Sequence, residues 1–304
     1  MVFILFRPIV LEDKELIDSY FQANRYESSV YTFTNFYMWR KPYNIEWAEV
    51  EGCLCVRATH HDHTYMLPPI PKATGGSIAA ALTVVIDYFK ELGQPFLLKG
   101  ATLDDKAALE AARPNLFTFE ADRKNFDYVY LAEDLKWLKG RKYSSKKNHL
   151  NYFKRTYSQY QYLPLTPDLL PSCKKTALEW YELRGLDEDS EIDLEKDAVI
   201  DMLDHFAAMK LTGGVILIDG KMEAFSIGEP LNSDTAVIHV EKGNPNIRGL
   251  YQAINQEFCR NAWEIMTYIN REEDMGMEGL RQAKESYHPV KMVEKYDVMI
   301  TAEG

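Results

Sequence analysis

The order of strand-like and helical segments repeats once along the 304 residues, and this repetition constrains the fold more than any single motif. In each half, segments that alternate apolar and polar residues lead through a glycine into a long segment with apolar residues at helical spacing. A strand-like segment and a short helical one follow. The glycine and the long segment are Gly76 with residues 77–92 in the first half, and Gly249 with residues 250–262 in the second. The repeat predicts two tandem copies of one α+β fold, each with a mixed, mostly antiparallel sheet and flanking helices.

The expected domains are residues 1–125 and residues 126–304, and the second contains the better candidate site. Within the second domain, residues 142–160 place apolar or aromatic side chains at helical spacing. They predict one long basic helix that bridges the two domains. Asp219 and Gly220, between two strand-like segments, predict a tight hairpin turn.

Composition excludes several classes of protein. The net charge of −11, from 35 Lys and Arg against 46 Asp and Glu, argues against a chain whose whole surface binds nucleic acid. No apolar stretch approaches the roughly 20 residues that span a bilayer. The four cysteines have neither the spacing of a disulfide framework nor that of a metal site. We therefore expect a cytoplasmic protein without a transmembrane segment and without a metal.

A strand-to-helix junction in the second half predicts an anion site. Free amides and the positive end of the helix dipole make a helix N-terminus attractive to phosphate. The candidate donor- or phosphate-binding residues are Arg248, Gly249, Leu250 and Tyr251. In the alternative interpretation, Gly249 only permits a tight entry into the helix and Arg248 is a solvated surface charge.

Four residues are candidates for catalysis. Lys284, on a short helix, is placed to stabilise a developing oxyanion, unless that helix is simply amphipathic with solvated cations. His239 and Glu241 alternate along one strand and share a face, so either is a candidate base, or both belong to a polar sheet face. Tyr287 is a candidate general acid or a core residue. Lys284, Tyr287 and either His239 or Glu241 are expected in one pocket with Arg248 and Gly249.

A basic segment interrupts this acidic chain, since no Asp or Glu occurs from Leu135 to Pro167. Its interleaved aromatic and basic residues suit phosphates, stacked bases or an anionic lipid surface. Pairing with the acidic run at residues 187–197 is the equally weighted alternative. The candidate polyanion-binding residues are Arg141, Lys142, Lys146, Lys147 and His149.

Three stretches, residues 140–157, 219–258 and 268–296, resemble the bacterial family grouped with the phosphatidylglycerol lysyltransferase C-terminal domain. The resemblance implies a tandem acetyltransferase-like (GNAT) fold, distantly related to the Fem peptidyltransferases that take aminoacyl groups from charged tRNA. It also implies that Lys284, in the sequence GLRQAK, belongs to the active-site region, with Asp274 and Arg281 in support.

Three functional hypotheses follow. The first is an acyl or aminoacyl transferase that uses aminoacyl-tRNA and an amine or hydroxyl acceptor, either a small molecule or a lipid headgroup. The second is an N-acyltransferase that uses acyl-coenzyme A, although Leu250-Tyr251 stand where a second glycine or alanine is usual. The third is a non-catalytic ligand-binding protein, for which a closed or salt-bridged cleft around Lys284 would be the sign.

Overall fold

The computed structural model describes residues 4–22, 24–183 and 191–301. Elements of the first half are β1 (Arg7–Pro8), α1 (Lys14–Gln22), α2 (Phe33–Trp39), β2 (Glu46–Val50), β3 (Cys53–His60), β4 (His63–Met66), β5 (Ile70–Pro71), α3 (Ile78–Leu92), β6 (Leu98–Ala101), α4 (Leu103–Ala112) and β7 (Phe117–Ala121). Those that follow are β8 (Asp127–Leu131), α5 (Ala132–Trp137), α6 (Ser144–Thr156), β9 (Gln161–Pro164), α7 (Leu170–Leu183), α8 (Glu191–Asp204), β10 (Thr212–Ile218), β11 (Lys221–Pro230), β12 (Thr235–Gly243), α9 (Leu250–Asn261), β13 (Tyr268–Asn270), α10 (Glu278–Glu285), β14 (Lys291–Val293) and β15 (Tyr296–Ile300).

The chain divides into two compact units, and the division differs from the expected one at the C-terminus. Met1–Asp127 and Val293–Gly304 form the first unit, and Tyr128–Met292 the second. Residues 293–304 were expected in the second domain. Instead β15 pairs antiparallel with β6 and with β7, so its backbone hydrogen bonds place it in the first unit.

Each unit contains one mixed sheet, which confirms the predicted α+β class. The strand order is β1-β2-β3-β4-β6-β15-β7 in the first unit, with β5 beside β3, and β14-β8-β13-β12-β11-β10-β9 in the second. A parallel pair in each sheet spans the long helix: β4 with β6 around α3, and β12 with β13 around α9. A helical crossover is what parallel neighbours require. The repeated element order in the sequence therefore corresponds to a repeated topology.

Helix α9 supplies much of the core of the second unit. Ala253, Ile254 and Phe258 are fully buried on one of its faces, in the same cluster as Ile216 and Ile238 of the sheet. The predicted hairpin is present between β10 and β11, where Asp219 and Gly220 both have positive φ angles of 50° and 78°. Two positive φ values are what such a turn needs, and glycine accepts one without strain.

The predicted bridging helix is shorter than expected and lies within the second unit. A 3-10 turn at Arg141–Tyr143 precedes α6, which ends at Thr156. Leu150 and Phe153 of α6 are buried in the same cluster as α9. The helix is therefore a packed element of the second unit.

No helix among the described residues is long and apolar enough to cross a membrane.

Candidate functional site

The candidate site lies where the parallel strands of the second unit separate. β12 and β13 pair over only three positions, from Thr235 with Tyr268 to Val237 with Asn270. β12 continues to Gly243, whereas β13 ends at Asn270. The free edge of β12 therefore faces side chains of residues 271–277, which we call the post-strand segment.

Arg271, the first residue of this segment, is held by a partly buried carboxylate. One of its terminal nitrogens, Nη2, donates to Glu241 Oε1 at 3.0 Å, and Asn255 donates to the other Glu241 oxygen at 2.9 Å. Burial disfavours the charged guanidinium, but Glu241 outweighs burial and raises the pKa of Arg271. The second terminal nitrogen, Nη1, is buried and has no hydrogen-bond partner among the residues that the structure describes.

Lys146 of α6 contacts the same aromatic ring as Arg271. Its ammonium lies 4.4 Å from the centroid of the Tyr287 ring, and the Arg271 guanidinium lies 4.9 Å from the same centroid. Burial first, and then the positive charge of Arg271, lower the pKa of Lys146, with Glu241 acting in the opposite direction. In the described part of the chain, Lys146 has no carboxylate partner.

His239, a candidate base in the sequence, lies between two carboxylates. Its side chain is fully buried, with Nε2 at 2.9 Å from Glu229 and Nδ1 at 2.8 Å from Glu272. Burial alone lowers the pKa of the ring, but the two carboxylates outweigh it and raise the pKa to about 10. A ring with that pKa is an imidazolium at neutral pH, and an imidazolium donates from both nitrogens and has no lone pair to accept a proton.

Glu241 and Tyr287 also contact neighbouring side chains. Both oxygens of Glu241 accept hydrogen bonds, one from Arg271 and one from Asn255. Glu241 therefore orients Arg271 and is not an unpaired carboxylate. Burial raises the pKa of Tyr287, and Lys146 and Arg271 both contact its ring. A hydroxyl of high pKa remains a proton donor at neutral pH.

Lys284 holds the post-strand segment in place. Its buried ammonium donates to the carbonyl oxygen of Arg271 at 2.5 Å and also to that of Glu273. The Tyr130 hydroxyl donates to the Lys284 carbonyl at 2.8 Å. These contacts place Lys284 behind Arg271 as a positioning residue, which corrects the expectation that it stabilises an oxyanion directly.

An ion pair between Asp274 and Arg281 fixes the post-strand segment at a second point. Two guanidinium nitrogens of Arg281 donate to Asp274 at 2.9 and 3.0 Å, and the Tyr128 hydroxyl donates at 2.6 Å. Burial would raise the pKa of Asp274, but the hydrogen bonds from Arg281, Tyr128 and Gly276 hold it well below its usual range.

The start of α9 packs against α6 at the position expected to bind phosphate. A Cβ on Gly249, whose φ is 86°, would lie 2.2 Å from the His149 carbonyl oxygen, so the close approach of the two helices requires the glycine. Leu250 is fully buried, and the Tyr251 hydroxyl donates to the Gly243 carbonyl at 3.1 Å. Arg248 stacks over Tyr152 and donates to His149 Nδ1 at 3.4 Å. Helix packing thus explains Gly249 without a pyrophosphate.

Some of the residues expected in one pocket are in contact with one another. Glu241, Lys284 and Tyr287 all contact Arg271, and His239 contacts Glu272 beside it. The contacts of Arg248 and Gly249 are instead with α6.

We use the term α6 surface for Arg141, Lys142, Lys146, Lys147 and His149. Within the described ranges, Lys142 is its only lysine or arginine with a carboxylate partner, Asp134 at 3.3 Å. Part of the acidic run that was the alternative partner, residues 187–190, lies outside the described residues. In the described part of that run, Glu195 pairs with Lys242 of β12 at 2.7 Å.

Sequence reasoning missed Arg271 as a member of the site. The available signal was its place directly after a parallel strand, where side chains of α/β sheets converge on ligands. The described residues contain no group of three or more His, Cys, Asp or Glu placed to hold a metal ion.

Comparison with solved structures assigns the fold to the tandem acetyltransferase-like (GNAT) class. A tandem GNAT protein from the clavulanic acid biosynthesis pathway matches 99% of this chain and 100% of its own, with 9% identity and a TM-score of 0.52. L-PGS from Bacillus licheniformis matches 96% of this chain and 93% of its own, with 13% identity and a TM-score of 0.66. At these identities the likeness is one of fold.

The chain belongs to the family described as phosphatidylglycerol lysyltransferase, C-terminal, whose model matches residues 23–299. A conserved protein of unknown function from Bacteroides thetaiotaomicron is 36% identical, matches 98% of this chain and 100% of its own, and has a TM-score of 0.91. An uncharacterized protein of Mycoplasmoides gallisepticum is 24% identical over 177 residues. That match spans 57% of this chain and 56% of the relative, so the chain corresponds to about half of that relative's length.

Proposed function

We propose that the second unit transfers an acyl group, specifically an aminoacyl group from charged tRNA, to an amine or hydroxyl acceptor. The family and the fold support transfer of an acyl group. The α6 surface supports the choice of a polyanionic donor, and it is the observation that carries the proposal.

The charge of the α6 surface suits a phosphate backbone. Arg141, Lys146 and Lys147 have no carboxylate partners in the described ranges, although the chain carries 46 Asp and Glu. Unpaired cations keep their full attraction for phosphate, and a local basic cluster binds a polyanion against an unfavourable net charge. Tyr152, stacked under Arg248, adds an aromatic surface beside the cluster.

The α6 surface also connects with the interior of the candidate site. Lys147 is exposed, whereas its neighbour Lys146 is half-buried and reaches the Tyr287 ring beside Arg271. A tRNA acceptor end held on the exposed face would therefore have its 3′ terminus close to the place where β12 and β13 separate.

The reaction exchanges one acyl bond for another. The acceptor nitrogen or oxygen bonds to the carbonyl carbon of the aminoacyl ester, and the bond from that carbon to the ribose oxygen breaks. The proton lost by the acceptor ends on the ribose oxygen, which leaves as the tRNA hydroxyl. The His239 ring lies between Glu229 and Glu272, so the proton transfer is not assigned to it.

We expect Lys142→Gln, Lys146→Gln and Lys147→Gln, combined in one variant, to weaken binding of total charged tRNA by at least about tenfold at low salt. Each phosphate contact removed should lower the slope of log affinity against log salt by roughly 0.7 to 0.9. Filter binding across a salt series measures both quantities.

The matched control replaces Lys174, Lys175 and Lys221 with Gln in the same unit. These three lysines each have a carboxylate partner, so the variant carries the same change of net charge at other positions. Equal losses in the two triple variants, or no tRNA binding by the parent protein, would contradict the proposal.

The ion pairs around Arg271 favour a second candidate, a ligand-binding protein without transfer activity. Arg271 is paired with Glu241, and Lys284 is held by backbone carbonyls, which is the salt-bridged arrangement expected of that function. Single-turnover reactions with lysyl-tRNA and either phosphatidylglycerol vesicles or a free amine distinguish the two. Binding without transfer to either acceptor would favour the second candidate.

A further inference from the structure

We propose that Arg271 and Lys146 form a binding site for one singly charged oxoanion, a carboxylate or a phosphodiester, next to the Tyr287 ring. This site deepens the proposed function and rests on it only in assigning the anion to a substrate of transfer. Binding of the anion itself requires no tRNA.

The unpartnered nitrogen of Arg271 is the first observation. Nη2 is used by Glu241, whereas Nη1 is buried without a hydrogen-bond acceptor among the described residues. A buried donor without an acceptor destabilises the fold, so such atoms are few in native proteins and call for an explanation. An anionic oxygen is the acceptor that satisfies a guanidinium best.

The position of Lys146 is the second, independent observation. It belongs to a different element, α6, yet places a half-buried ammonium over the Tyr287 ring that Arg271 also contacts. Two cations that lie close together in a partly desolvated environment repel each other. The pKa of Lys146 is lowered by its burial and by the positive charge of Arg271. An anion between them removes the repulsion and replaces the lost water.

The balance of charge identifies the ligand as a monoanion. Arg271 and Lys146 carry two positive charges and Glu241 one negative charge, which leaves one unbalanced positive charge. A carboxylate or a phosphodiester would neutralise the site, whereas a neutral ligand would not.

The test compares Lys146→Gln with Lys147→Gln, adjacent residues of one helix that lose the same charge. Lys146 contacts Tyr287, whereas Lys147 is exposed. Dimethyl phosphate and acetate serve as the phosphodiester and the carboxylate probes. The thermal shift is measured against the concentration of each probe at constant ionic strength, because a ligand of the folded state raises its stability by mass action.

At least one probe is expected to stabilise the parent protein and the Lys147→Gln variant alike, and to bind the Lys146→Gln variant about tenfold more weakly. The probe that binds better identifies the source of the anion. Arg271→Lys keeps the charge but loses the second terminal nitrogen, and is also expected to weaken binding, with its fold verified by circular dichroism.

Equal binding of both probes by the Lys146→Gln and Lys147→Gln variants, or no binding by the parent, would overturn the site. This failure is distinguishable from that of the proposed function, because both single variants are expected to lower the salt slope of tRNA binding equally. Intact tRNA binding without probe binding would reject only the oxoanion site. Probe binding without tRNA binding would reject only the tRNA donor.

Discussion

Replacing Lys295 with Met is expected to lower the free energy of unfolding of the first unit by about 3–5 kcal/mol, because it leaves a buried carboxylate without its cation. The Lys295 ammonium lies 2.6 Å from Asp127 Oδ1, and the two residues are 2% and 0% exposed. Ser29 adds donors to the same carboxylate, from its hydroxyl at 2.9 Å and its amide at 2.7 Å. Urea denaturation, followed by hydrogen exchange of peptides from β2 and β3, measures the effect.

Lys99→Met in the same unit is the matched control. Lys99 lies 3.7 Å from Asp297, and both side chains are partly exposed, so the pair is expected to contribute at most about 1 kcal/mol. Adding Asp127→Asn to Lys295→Met should recover part of the loss, since it removes the uncompensated charge. A Lys295→Met variant as stable as Lys99→Met would show that the buried pair contributes little.

This ion pair also shows why the sequence predicted the strands better than their partners. The apolar pattern of Tyr296–Ile300 is local information, and it indicates a strand. Its pairing with β6 and β7 depends on contacts across roughly half the chain or more, and no local pattern encodes them. The expected domain boundary followed chain order and therefore placed residues 293–304 in the second domain.

The glycines before the two long helices were informative about topology and misleading about chemistry. A Cβ on Gly76 would lie 2.4 Å from the Gly52 carbonyl oxygen, and one on Gly249 would lie 2.2 Å from that of His149. Both positions demand glycine because another backbone approaches closely. A sequence records that a glycine is present, but not whether a ligand or a neighbouring backbone requires it.

The alternation of β12 correctly brought His239 and Glu241 to the same region, yet their roles could not be predicted. The charge of His239 is set by Glu229 and Glu272, which are 10 and 33 positions away in the chain. Glu241 accepts a hydrogen bond from Arg271, which follows a different strand, β13. Protonation states depend on such tertiary neighbours, whereas strand periodicity fixes only the face on which a side chain lies.

His239→Gln is expected to destabilise the second unit by an amount that falls as the pH rises. The histidine has a pKa of about 10 in the folded protein and about 6.5 when unfolded, so the folded state binds the extra proton between these values. The stabilisation is therefore complete below about pH 6.5 and is lost progressively as the pH rises toward 10. Between pH 6.5 and 8 the loss amounts to about 2 kcal/mol.

We therefore expect the glutamine variant to be less stable than the parent by about 3 kcal/mol at pH 6 and by only about 1 kcal/mol at pH 8. Urea unfolding at pH 6, 7 and 8 measures this difference in a range where the buried cysteines, whose pKa values are raised by burial, stay protonated in the folded state. The control is His63→Gln, at an exposed position, whose effect should stay within about 0.5 kcal/mol at every pH. A difference for His239→Gln that did not change with pH would mean that the ring is neutral in the folded protein, and His239 would again be a candidate for the base.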